Sequence, residues 1–168
     1  MARGWHVLIL GIDPGPLTCG VVLYDTKHRR VIEAHKDYSV EALIASIQPG
    51  EYIGAHIAIE TITPGPRAGS DVIQTAIVVG RLYQRALDAR RTASLHRRAD
   101  VVRYLGAGGK GSDDSRVMHA LIDTHGPSKA EAVGRKIAPG PLYGVSSHAW
   151  QALGVAYVAG ATRAWETP

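Results

Sequence analysis

The 168-residue chain contains no phenylalanine, a single cysteine and two methionines. One thiol, Cys19, excludes an internal disulfide framework. With no Phe, any aromatic stacking surface has to be built from Tyr, Trp or His. No apolar run approaches the roughly 20 residues that a membrane-spanning helix needs. No internal repeat and no Pro/Gly/Ser-rich linker divides the chain, so one domain over residues 1–168 is expected, close to the usual domain size of ~100–150 residues. The segment Met1-Ala-Arg-Gly-Trp-His6 enters a strand-like run with no secretory apolar stretch before it, and a cytoplasmic location is the expectation. Against these absences stands an ordinary hydrophobic content of 45%, enough for a packed core and too high for a disordered chain.

Acidic residues are also fewer than basic ones, 15 against 19, a surplus of +4 that is too small to name a partner. Its placement says more. Arg81, Arg85, Arg90, Arg91, Arg97, Arg98 and Arg103 follow one another with only Asp88 and Asp100 opposing them. Such a run is either a solvated face or an electrostatic footprint for phosphates.

The patterning alternates strands with helices. His6–Ile12 is an apolar run suited to a strand buried on both faces, ended abruptly by Asp13-Pro-Gly-Pro. Gly20–Tyr24 and Arg30–His35 complete a closely spaced antiparallel meander. Ser39 is placed to cap a short helix to Ile47, and Ile57–Glu60 reads as a fourth strand. Ser70 is placed to cap a longer helix, with Ile73, Ile77, Gly80, Leu82 and Leu87 at helical spacing through about Arg91. Ala93–His96 fits a fifth strand, followed by short helices over Asp100–Leu105 and Asp113–His125 with the glycine-rich loop Gly106–Ser112 between them. Gly126–Gly144 reads as a long loop with one helical turn, and Ser147 is placed to cap a final helix over His148–Ala164. This order predicts an α/β fold of the ribonuclease H-like kind: a mixed five-stranded sheet, a three-strand meander plus parallel strands, with helices on both faces.

Two carboxylates stand where chemistry is expected. Asp13 ends the first apolar strand and Glu60 ends the fourth. If those strands are neighbours, both acids emerge at one sheet edge, where like charges are costly without a cation between them. Hard oxygen ligands favour Mg²⁺ or Mn²⁺, and a pair of such ions ~4 Å apart activates a water and stabilises the leaving oxygen of a phosphodiester. Each acid alone is also explained as a turn or capping residue. A nucleotide P-loop is not formed, because Gly106–Ser112 lacks the Gly-x₄-Gly-Lys-Ser/Thr spacing.

Leu10-Gly-Ile-Asp-Pro-Gly15, Cys19-Gly-Val-Val22, Ile57-Ala-Ile-Glu60, Ile77-Val-Val-Gly-Arg81, Val101–Gly106, Ser115-Arg-Val-Met-His119 and Ser147-His-Ala-Trp-Gln-Ala-Leu-Gly-Val-Ala156 follow one another in an order and spacing that resemble the RuvC Holliday-junction resolvases. The similarity runs from about residue 7 to 160, in a divergent and compact form suited to a phage or actinobacterial version. The opening motif also begins actin-like kinases, but those need two such lobes.

The resemblance implies a metal-dependent endonuclease that acts as a homodimer on branched DNA (four-way junctions, forks or flaps), leaving 5′-phosphate and 3′-hydroxyl ends. It implies four catalytic positions: Asp13, Glu60, His148 and Gln151, of which Asp13, Glu60 and His148 would hold two Mg²⁺ or Mn²⁺ ions. Gln151 stands where the family carries an Asp, and residues 141–165 offer no acid to replace it. Asp113 and Asp114 are an alternative source of a ligand, although their place at a helix start also accounts for them. The family's basic residue near Asp114 is missing; Lys110, Arg116 and Arg103 are nearby substitutes for contacting DNA, together with Ser112 at the helix start, Arg81 in the basic run, and Arg67, which stands in the loop where the family carries a stacking aromatic. A junction-binding protein with weak or no cleavage is the alternative that Gln151 motivates.

Overall fold

In a computed structural model, which describes residues 7–47, 52–63, 65–66, 68–107 and 112–166, five strands form one mixed sheet. They are β1 (Leu8–Pro14), β2 (Thr18–Asp25), β3 (Arg30–Ser39), β4 (His56–Thr61) and β5 (Ala93–Arg97), in spatial order β3-β2-β1-β4-β5. The short connections between β1, β2 and β3 dictate antiparallel pairing, whereas β1–β4 and β4–β5 are parallel because a helix crosses between them. The apolar runs of β1, β2 and β4 are buried on both faces, as their continuous hydrophobicity predicts.

Helices α1 (Val40–Ser46) and α2 (Ser70–Asp88) cover one face, where Leu10, Ile12, Ile57 and Ile59 pack with Leu43 and Leu82. The other face carries α3 (Arg98–Tyr104), α4 (Asp113–His125) and α6 (Ala149–Thr162), with α5 (Lys129–Val133) alongside. Helix α6 is apolar all round and almost wholly buried, the pattern of a central core helix. It lies directly on β1 and β2 because Gly11 and Gly20 leave room: a Cβ on Gly11 would stand 2.1 Å from the main-chain oxygen of Ala152, and one on Gly20 2.4 Å from that of His148. Trp150 is part of this core, so it packs rather than stacks on a ligand. Among the described residues no helix is long and apolar enough to cross a membrane.

Several local expectations are corrected. Ser39 does cap α1, accepting from the Ala42 amide, but Ser70 is the first residue of α2, and the cap position is Gly69. Ser147 does not cap α6: the cap position is His148, without a side-chain bond, and Ser147 itself sits at φ +46°, a left-handed conformation unusual for a residue with a Cβ. The 126–144 segment holds, besides α5, a two-residue ribbon, β6 (Gly134–Arg135) paired with β7 (Ala138–Pro139). On α2 the buried residues are Thr75, Val78, Val79, Leu82 and Ala86, whereas Ile73, Ile77, Gly80 and Leu87 face outward. Of the predicted stripe only Leu82 enters the core, because the β-branched pair Val78-Val79 and the small residue Ala86 fit the sheet more closely.

Candidate active site

The site is built by strand register. The parallel pairing of β1 with β4 sets Ile12 beside Ile59, so the next residues, Asp13 and Glu60, leave the sheet together at the same edge. Both are buried, and Glu60 is only 4% exposed. Strand β5 ends at that edge too, since Glu60 pairs with His96 and Thr61 with Arg97. Helix α3 starts at the next residue, and its first side chain, Arg98, turns to the two acids.

Arg98 supplies the cation that a buried carboxylate pair requires. Its Nε lies 2.7 Å from Glu60 Oε1 and its Nη2 3.6 Å from Asp13 Oδ1. Its Nη1 contacts a third carboxylate, Asp114 Oδ1, from the first turn of α4. On the other side of Asp13, His148 Nδ1 stands 3.4 Å from Oδ2. Gln151 is 3% exposed rather than a surface residue, and its Nε2 donates to the main-chain oxygen of Asp114 at 3.4 Å.

Burial dominates the electrostatics. It pushes the Glu60 carboxyl up to about 7 against the pull of Arg98, with the Asp13 charge adding to the rise. Asp13 is likewise raised by burial, opposed by Arg98 and His148. One oxygen, Glu60 Oε2, is buried with no hydrogen-bond partner among the described residues. A cleft of about 540 Å³ opens over Asp13, Glu60 and Arg98 and is walled by Asp71, Thr75 and Asp113. A second one, of about 370 Å³, lies between the starts of α4 and α6 and is lined by Ser112, Asp114, His148 and Gln151.

No family model matches the sequence, and no curated protein matches it. Solved structures do. Thermus thermophilus RuvC in complex with a Holliday junction substrate superposes with a TM-score of 0.63 at 19% identity, covering 95% of this chain and 96% of that one. The Thermus thermophilus RuvC structure superposes with a TM-score of 0.58 at 19% identity, covering 94% and 96%. The chain has the RuvC fold.

The ribonuclease H-like architecture of the RuvC fold places Asp13, Glu60, His148 and Gln151 at one end of the sheet. Among the described residues, however, no three His, Cys, Asp or Glu side chains close around one point as a metal cluster; Arg98 takes the central place. The donor set still fits a hard divalent ion, because two buried carboxylates share one cation, Arg98, and Glu60 Oε2 has no partner among the described residues. The residues expected to contact DNA are dispersed. Arg81 makes a bidentate ion pair with Glu41, both distances 2.8 Å, joining α2 to α1. Arg103 pairs with Asp100 at 3.0 Å, an acid that Arg97 also engages at 2.7 Å, and Arg116 contacts Asp113. Ser112 caps α4, its Oγ accepting from the Ser115 amide. Arg67 and Lys110 lie outside the described residues.

Sequence reasoning counted Arg98 as one charge in a basic run. The signal that singles it out is positional: it directly follows a strand whose end shares the edge of Asp13 and Glu60.

Proposed function

We propose that the protein is a divalent-metal-dependent endonuclease that nicks four-way junctions or related branched DNA, with two copies acting together. The observation that carries this reading is the pair Asp13 and Glu60, held side by side and buried, with one oxygen of Glu60 left without a partner among the described residues. A carboxylate pair of this kind is unfavourable for stability and is retained where cation chemistry needs it. The likeness of the whole chain to a RuvC that was solved on a Holliday junction substrate supports branched DNA as the target.

Asp13 and Glu60 are the residues that would hold Mg²⁺ or Mn²⁺, with His148 at the flank of Asp13 and Gln151 able to offer only a neutral oxygen. Bound divalent ions supply the charge that readies a water for attack and stabilises the oxygen leaving the phosphodiester. The chain's own part is positional. Strands β1 and β4 fix the two acids, α6 brings His148 to Asp13, and the cleft walled by α2 and α3 admits a phosphate backbone. Arg103, Arg116, Arg81, Ser112, Arg67 and Lys110 are proposed to contact DNA, those now ion-paired exchanging a carboxylate for a phosphate.

Pairing of two copies is supported by α2, whose outward stripe of Ile73, Ile77 and Leu87 surrounds Gly80, where an added Cβ would meet nothing within 4 Å. An apolar stripe with a glycine at its centre suits close crossing by the same helix of a second copy.

A second reading, junction binding with little cleavage, is favoured by Arg98 standing between the acids and by the missing charge at Gln151. One assay separates the two. A labelled four-way junction is incubated with the protein in Mg²⁺ or Mn²⁺, beside Asp13→Asn and Glu60→Gln. The nuclease reading expects paired nicks by the parent and none by the variants, with binding retained in all three. Binding without nicks in either ion supports the second reading, and variants that cut like the parent overturn the site.

A further inference from the structure

Three carboxylates, not two, converge on Arg98, and the third comes from α4, outside the set Asp13, Glu60 and His148 that the family resemblance implies. Asp114 lies in the first turn of α4, its carboxylate on the same guanidinium that holds Glu60 and Asp13. Resting on the metal-site reading above, we propose that Asp114 supplies to that site the negative charge that α6 lacks at Gln151, and that Arg98 is a resident cation which an incoming divalent ion displaces.

The geometry divides the four groups into a fixed pair and a movable pair. Asp13 and Glu60 are buried at strand ends and cannot travel. The Arg98 and Asp114 side chains are 36% and 61% exposed, so both have room to rearrange that the buried pair lacks. An arginine makes a suitable placeholder because its planar head satisfies several carboxylates at once, yet it leaves Glu60 Oε2 unpartnered inside the site. That oxygen belongs to a 4%-exposed side chain and is the acceptor a small ion would engage and a guanidinium does not.

Gln151 also takes on a definite part. By donating to the main-chain oxygen of Asp114, it ties the start of α4 to α6, and so holds the replacement acid beside the position where the missing one would have stood. Of the other acids nearby, Asp71 stands on the cleft wall, where it accepts from Ser70 Oγ at 3.5 Å and touches neither Arg98 nor Gln151 in any contact seen among the described residues. Asp113 contacts Arg116, and Asp100 is shared by Arg97 and Arg103. With Asp114 included, the site has three carboxylates without an acid on α6.

The test is Mn²⁺ binding to the metal-free full chain, with free Mn²⁺ followed by its electron paramagnetic resonance signal. Because Asp114 also anchors Arg98, its role as a ligand is read in a background without the arginine. Arg98→Gln is expected to bind Mn²⁺ more tightly than the parent. Arg98→Gln/Asp114→Asn is expected to bind about tenfold or more weakly than Arg98→Gln alone, the scale on which loss of a metal-supporting group acts. Adding Gln151→Asp to the double variant is expected to restore binding. Equal affinity of Arg98→Gln and Arg98→Gln/Asp114→Asn overturns the role of Asp114, and unchanged affinity on Arg98→Gln overturns the displacement. A parent whose Mn²⁺ binding is absent, or is untouched by Asp13→Asn, overturns the metal-site reading and this proposal with it. Binding that depends on Asp13 but not on Asp114 overturns this proposal alone.

Discussion

Arg98 Nε lies 2.7 Å from Glu60 Oε1, so the counter-ion of the buried acid is a side chain from the element that follows the neighbouring strand. Removing one partner of a fully buried pair costs about 3–5 kcal/mol, and the 36% exposure of Arg98 reduces that to on the order of 1–3 kcal/mol. Arg98→Gln is therefore expected to lower the melting temperature of the metal-free protein by several degrees. Added Mn²⁺ should recover more of the loss in the variant than it adds to the parent, since an ion that binds only the folded state stabilises it by mass action. Thermal melts with and without Mn²⁺ check both. An unchanged metal-free melting temperature would show that the acids do not rely on Arg98.

Gly20 and Gly11 set where α6 lies, and through it where His148 stands. At Gly20 a Cβ would meet the main-chain oxygen of His148 at 2.4 Å, a contact with backbone that only a shift of the helix start relieves. Gly20→Ala is expected to fold and bind DNA but to cut on the order of 100-fold more slowly, the effect of displacing a catalytic group by about 1 Å. A Cβ on Gly11 would meet both the Ala152 oxygen at 2.1 Å and the Ala156 Cβ at 2.8 Å, two successive turns of the packed helix, so Gly11→Ala is expected to destabilise the fold by about 3 kcal/mol or more. Single-turnover cleavage and denaturant unfolding of the two variants separate these outcomes.

How far the sequence revealed all this depends on whether a feature is local. The apolar runs ending in Asp13 and Glu60 announce doubly buried strands, and the short turns between the first three strands dictate a meander; both are local, and both appear in the sheet. The neutral Gln151 is visible in the sequence, but its burial is not, because that depends on α4 packing over the start of α6. Arg98 meets Asp13 across 85 residues and Asp114 across 16, contacts that only strand order and helix placement create. The stripe on α2 misled for a different reason. Helical spacing gives the period of Ile73, Ile77 and Leu87 but not which side faces the sheet, and the sheet takes Val78, Val79, Leu82 and Ala86.

That outward stripe has a consequence for assembly. Single apolar residues on a surface need no explanation, but Ile73, Ile77 and Leu87 share one outward helix face with an open glycine among them. Ile77→Glu places a charge at its centre without touching the core. The parent is expected to elute as a dimer in size-exclusion chromatography with light scattering, and Ile77→Glu as a monomer. The variant should nick one strand of a junction while losing coordinated cutting of the second. A parent that is monomeric at micromolar concentration, alone and on a junction, would remove α2 as the pairing surface.

Acid should destabilise the protein through buried histidines. His56 is buried between Thr92 and Ser94, its Nδ1 2.9 Å from one hydroxyl and its Nε2 2.7 Å from the other. Burial, with repulsion from His96 adding to it, pushes it down from 6.5 to about 4. Burial also lowers His96 and His125. A group whose folded pKa is depressed contributes stability that is fully present above its unfolded value, here 6.5, and is lost as pH falls toward 4. For His56 alone this amounts to about 3 kcal/mol. Glu60 acts in the opposite sense: raised from 4.5 to about 7, it contributes stability present below 4.5 and lost as pH rises through 7. In the parent the two trends partly offset each other between pH 7 and 4.5. Glu60→Gln removes the opposing one, so its melting temperature should fall more steeply than the parent's over that range. A Glu60→Gln profile that is flat from pH 7 to 4.5 would refute the assignment of the acid sensitivity to these histidines.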